Sequence, residues 1–149
     1  MHKYLKFGAM ITTSTVAMFI LMYLNVWSVG HVYWSETRAY MALLMGAAMA
    51  LVMIAFMLDM YTNKRANIAV VAASLLIFVV SLFLARSQVT VGDVEWMRAM
   101  IPHHSIAILT SERAKITDPR VRKLADGIIS AQKREIGEMQ ALIAELAKR

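Results

Sequence analysis

Three stretches of this 149-residue chain, at about 7–27, 39–58 and 67–86, are almost free of charge, and they leave few folds open. Each is long enough to cross a hydrocarbon core of roughly 30 Å as an α-helix rising about 1.5 Å per residue. At 59% hydrophobic residues the chain is too apolar for an ordinary soluble domain of its size. From Ser87 onward it turns charged and amphipathic. The expected fold is all-α: a three-helix membrane anchor over residues 1–88, then a small helical domain over 89–149. Lys3 and Lys6 precede the first run as they would a secretory signal, but the run exceeds a signal core and "YLNVWSVGH" offers no small-x-small cleavage site, so its retention is expected.

Basic residues in the short connections set the expected orientation. Lys3 and Lys6 flank the first run and Lys64 and Arg65 follow the second, against Arg38 and Arg86 on the other side. The asymmetry puts the N-terminus and the 59–66 loop in the cytoplasm. The C-terminal domain then faces outward, into the periplasm if the membrane is a bacterial inner membrane. The net charge of +6 is partly this topology signal; the remaining basic residues alternate with acids as on solvated helix faces, which argues against nucleic acid as a partner. With no cysteine, disulfides and thiolate metal sites are excluded, and a soft-metal site must draw on the 13 methionines.

The second run carries Met41, Met45, Met49, Met53 and Met57, beside Ala42, Gly46 and Ala50. Steps of four drift around a helix as an inclined ridge. The small residues admit a close helix neighbour, and the methionines either fill the adjoining space or relay a soft cation. No acid or histidine lies deep in any run, so an anchor and assembly module is expected rather than a pump.

In the polar domain, Thr90 is expected as an N-cap with Asp93 at N3, opening a helix to about Lys115. Asp118 and Pro119 then give an N-cap and N1 for a helix running nearly to the end. The apolar stripe of Val121, Leu124, Ile128, Ile136, Met139, Leu142 and Leu146 folds the two helices into an antiparallel hairpin. In that register His104 lies opposite Gln132, Met100 opposite Ile136 and Met97 opposite Met139, with Glu135 one position off the seam.

The segment "MRAMIPHHSIAILTSE" therefore brings Met97, Met100 and His104 toward Met139, with His103 pointing partly away and Pro102 either kinking the helix or swinging both imidazoles to one point. Thioethers and imidazoles without thiolate suit copper, above all Cu(I), whereas zinc favours more histidine or carboxylate and calcium needs oxygens. The competing reading is that the methionines pack a core and the histidines sit at its edge.

At these residues the chain resembles the domain-of-unknown-function 305 family. The carrying pieces are "WMRAMIPHHSIAI" and "DPRVRKLADGIISAQKREIGEM", within about residues 90–147; the membrane helices lie outside the family's shared domain. The resemblance implies a ferritin-like helical fold and copper binding by Met97, Met100, His103, His104 and Met139. Thr110 departs from the pattern, since many members place a methionine shortly after the histidine pair.

The expected function is that of a membrane-anchored, periplasmic copper-binding protein: a Cu(I)/Ag(I) sink, sensor or chaperone in metal homeostasis or resistance, served by copper-handling partner proteins. The alternative is a structural or interaction module of a membrane assembly with no metal role. No nucleophile–base constellation is evident, so no enzymatic activity is expected. A two-helix hairpin of about 60 residues has little core of its own. A homo-oligomer is therefore expected, with two hairpins closing a four-helix bundle as a dimer or a higher assembly.

Overall fold

The computed structural model describes residues 2–148, and among these the chain is all-α, with no strand. Five α-helices follow in order: α1 (His2–Leu21), α2 (Glu36–Phe56), α3 (Lys64–Ser87), α4 (Asp93–Arg113) and α5 (Pro119–Leu146). A single 3-10 turn, Val29–His31, interrupts the α1–α2 connection. Helices α1, α2 and α3 are long and apolar enough to cross a membrane. The chain forms two compact units, one of residues 2–22 and 37–90, the other of 23–36 and 91–148.

In the first unit, the small-residue ridge of α2 is a contact inside the chain. Ala42, Gly46, Ala47, Ala50 and Ile54 are its buried positions. A Cβ built on Gly46 would overlap the Thr15 hydroxyl of α1, so this crossing needs glycine. Phe7, Ala50, Ile54 and Tyr61 form the core nearby, and Met53 and Met57 of the methionine ridge pack against it. Along α3 and at its C-cap the polar residues Asn67, Ser74, Ser81 and Gln88 recur every seven positions, and both serines are buried. Asn67 accepts from the Tyr4 hydroxyl and donates to the Tyr61 carbonyl. Gln88 accepts from Thr37 and adopts a left-handed φ of 54° that ends the helix.

Two sequence-based boundaries are corrected. The first helix spans 2–21 rather than 7–27: charge at Lys3 and Lys6 ends an apolar run without ending a helix, while the apolar residues after Met22 leave the helix for a loop. The Arg38 guanidinium donates to the Met22 carbonyl at this end of α1. Thr90 is not the N-cap of α4. That position is Gly92, without a side-chain cap, which puts Asp93 at N1 rather than N3; the Thr90 hydroxyl pairs with Tyr40 instead. Asp118 and Pro119 open α5 as expected, the carboxylate accepting from the Arg120 and Val121 amides.

In the second unit α4 packs along α5, and polar contacts join the two: His104 with Glu135, Glu112 with Lys133, and the Ser111 carbonyl with Arg122. Met97, Ile101, Ile108, Ile136 and Met139 form the core. The connection 23–36 is a third packed element, a strap laid against the pair. Its Trp27 donates from the backbone amide to Ser105 Oγ (2.7 Å) and from Nε1 to Glu112 (2.8 Å), beneath Lys133 Nζ at 4.7 Å from the ring centroid. Further along, Tyr33 packs on the core and its hydroxyl accepts from Gln140.

Candidate metal centre

Three of the five candidate ligands meet at the α4–α5 seam. Met97 and Met139 are core residues, 5% and 7% exposed, and Met100 packs against the same cluster at its margin. They are there because α4 carries its apolar residues at 97, 101 and 108 and α5 at 136 and 139, a helical spacing that turns one face of each helix to the other.

The two histidines divide. His103 is exposed, while the His104 side chain is 13% exposed; their ring centroids stand 6.2 Å apart at 63°. His104 Nδ1 lies 3.0 Å from the Met100 carbonyl, one helical turn back, and Nε2 lies 2.9 Å from Glu135 Oε2. Both partners are acceptors, so both bonds form only when both ring nitrogens carry hydrogen. Glu135, rather than the Gln132 that the simple register puts opposite, is the residue that holds this imidazole. Were a metal held at Nε2, the Met100 carbonyl would orient the ring through Nδ1–H, as ligating imidazoles usually are.

Pro102 is fully buried and α4 continues through it without interruption, although proline supplies no N–H to the Arg98 carbonyl. Thr110 is exposed, its hydroxyl donating to the Ile106 carbonyl of its own helix. Among the described residues no three His, Asp or Glu side chains gather in a metal-binding group. The donors gathered at this seam are thioethers beside His104, a set whose softness suits Cu(I) or Ag(I) better than zinc or calcium.

Sequence reasoning missed the strap side of the unit. Ser105 Oγ, fully buried, faces His31 Nδ1 at 3.0 Å as well as the Trp27 amide. His31 stacks on Trp27 and burial lowers its pKa. The Glu112 carboxylate is held below its ordinary pKa, first by Lys133 and then by Trp27. The signal was present in the aromatic content of "NVWSVGHVYW", which is excessive for a loop with nothing to pack on.

The model described as Domain of unknown function (DUF305) matches residues 84–149. The Uncharacterized protein L153 of Acanthamoeba polyphaga mimivirus is 31% identical over 145 residues, covering 93% of each chain. The chain belongs to the DUF305 family. Its DUF305 segment begins near the end of α3 and takes in α4, α5 and all five candidate ligands, but not the strap. The likeness to the viral protein spans the DUF305 segment and the apolar helices alike. No solved structure matches the chain.

Proposed function

We propose that this protein is a membrane-anchored copper-binding protein of the bacterial inner membrane, holding Cu(I) or Ag(I) at Met97, Met100, His104 and Met139 with His103 assisting. The observation that supports it is the gathering of three thioethers at one seam beside an oriented imidazole. Bound copper supplies a soft cation for sequestration, sensing or delivery to copper-handling partners. The chain's own part is to hold the thioethers out of water and to keep the His104 ring in one tautomer. We place the α4–α5 domain in the periplasm from the loop charges, as an antiparallel, ferritin-like hairpin that pairs with a second copy into a four-helix bundle. The exposed α5 residues Val121, Leu124 and Ile128 support that pairing.

A second reading has its own support: Met97 and Met139 lie among isoleucines, as core fillers do, and Glu135 already satisfies His104. Substitution by leucine separates the two, since Met→Leu conserves volume and leaves a packed core within about 1.5 kcal/mol of its stability. Cu(I) and Ag(I) affinity is measured on the full chain in mild detergent by competition with a chromophoric chelator. The expected result is a loss of on the order of tenfold or more in Met97→Leu, in Met139→Leu and in the His103→Ala/His104→Ala double variant. Unchanged affinity in the leucine variants removes the thioethers from the site, and unchanged affinity in the histidine variant removes the imidazoles. Zn(II) binding tighter than Cu(I) at equal pH overturns the choice of metal.

A further inference from the structure

The strap has two faces, and only one of them is used by the second unit. Trp27 and His31 hold Ser105, Tyr33 packs on the α4–α5 core, and Ser35 is buried. On the other face Leu24 is 74% and Val29 86% exposed, with Val32 and Trp34 exposed beside them. The last four residues alternate as an extended chain does, Val32 and Trp34 outward, Tyr33 and Ser35 inward. The outward face is therefore apolar by construction.

Three further observations say what covers it. From Tyr23 to Ser35 the strap contains no Lys, Arg, Asp or Glu, whereas a loop in water is normally charged. It contains two Trp and two Tyr, the side chains that concentrate where a bilayer meets water. Its backbone is closed to solvent needs. The amides of Gly30, His31 and Val32 donate within the Val29–His31 turn, to Ser28 Oγ, the Ser28 carbonyl and the Val29 carbonyl, and the Trp27 amide donates to Ser105. Satisfied amides under an apolar tip suit a medium poor in water. The chain supplies that medium at both ends: Leu24 stands three residues after α1 and Trp34 two before α2, both helices long and apolar enough to cross a membrane.

We propose that the outward face of the strap lies in the interfacial layer of the bilayer, with Leu24, Val29, Val32 and Trp34 against lipid. The strap is then a pad with lipid on one side and the α4–α5 pair on the other. The inference rests on α1 and α2 being membrane helices and is independent of any metal role.

The test uses the full chain in phosphatidylcholine–phosphatidylglycerol nanodiscs. The chain has no cysteine, so Val29→Cys, Val52→Cys and Lys115→Cys each take a single nitroxide label. All three positions are exposed, Val52 on α2 and Lys115 between α4 and α5. Collision with oxygen, which concentrates in lipid, is compared with collision with a nickel chelate, which stays in water. The oxygen-to-chelate ratio at position 29 is expected to lie severalfold above that at 115. A ratio at 29 equal to that at 115 overturns the proposal. Low collision with both reagents at 29 also overturns it, since protein, such as a second copy, then covers the face. Position 52 separates the causes: lipid at 52 with water at 29 sinks the inference alone, and water at 52 sinks the membrane anchor with it. Brominated lipid gives a second reading without the label. It is expected to quench the tryptophan fluorescence, and Trp34→Phe is expected to remove part of that quenching; unchanged quenching in Trp34→Phe overturns the placement of Trp34 in lipid.

Discussion

Ser105 shows how one residue can fix a long connection. Its oxygen accepts the Trp27 amide, and its own hydrogen then has His31 Nδ1 as acceptor, 3.0 Å away. That arrangement needs a lone pair on Nδ1, which a protonated imidazole lacks. Burial holds the His31 pKa below the ordinary value of 6.5. The unfolded chain therefore takes up the proton first as pH falls, so the contribution of His31 is complete above about 6.5 and is lost as pH drops through its lower folded value. Trp27, with Glu112 and Lys133 at its indole, reports the event. Its fluorescence is expected to shift as pH falls below 6.5 in wild type and to stay flat in His31→Gln. Ser105→Ala leaves the Trp27 amide without this partner and is expected to cost about 1–3 kcal/mol, read by denaturant unfolding. At this scale the sequence was legible where types cluster, as at Met97, Met100 and the histidine pair. It was silent on Ser105, because a serine on an apolar helix face carries no mark of the partner 78 positions away.

The elements were more legible in existence than in extent. Gaps in charge located α1, α2 and α3, and the Asp118–Pro119 pair located the start of α5. The ends moved because hydropathy does not separate an apolar helix from an apolar loop: Leu24, Val26 and Trp27 read as membrane and serve the strap. The α3 repeat of Asn67, Ser74, Ser81 and Gln88 went unread because two serines hardly interrupt an apolar run, yet a seven-residue step keeps them on one side of the helix. The α1–α2 crossing gives the clearest test among the elements. Gly46→Val is expected to destabilise the first unit by about 1–3 kcal/mol through overlap with Thr15, and Thr15→Gly in the same chain to recover most of it. Thermal unfolding in detergent of the single and double variants checks this. No recovery would place the strain elsewhere than at this crossing.

For the whole molecule, the sequence drew a boundary near residue 88, whereas the chain divides by contact so that 23–36 belongs with 91–148. Tyr33 and Trp27 therefore supply some of the core that two helices alone lack. Leu124, 65% exposed, with Val121 and Ile128, still forms a stripe along α5 that neither α4 nor the strap covers fully. A homodimer closed through this stripe is expected, and Leu124→Lys/Ile128→Lys is expected to yield monomers when mass is measured in mild detergent; a wild-type monomer at micromolar concentration would overturn the pairing. The strap also sets an order of events during synthesis. Trp27 leaves the ribosome 78 residues ahead of Ser105. At about 5–20 residues per second its backbone amide waits ~4–16 s for that partner. A fragment cut at the family boundary never receives Trp27. Such a fragment would emerge with the Ser105 side of α4 bare, and would be the form of this protein most prone to aggregate.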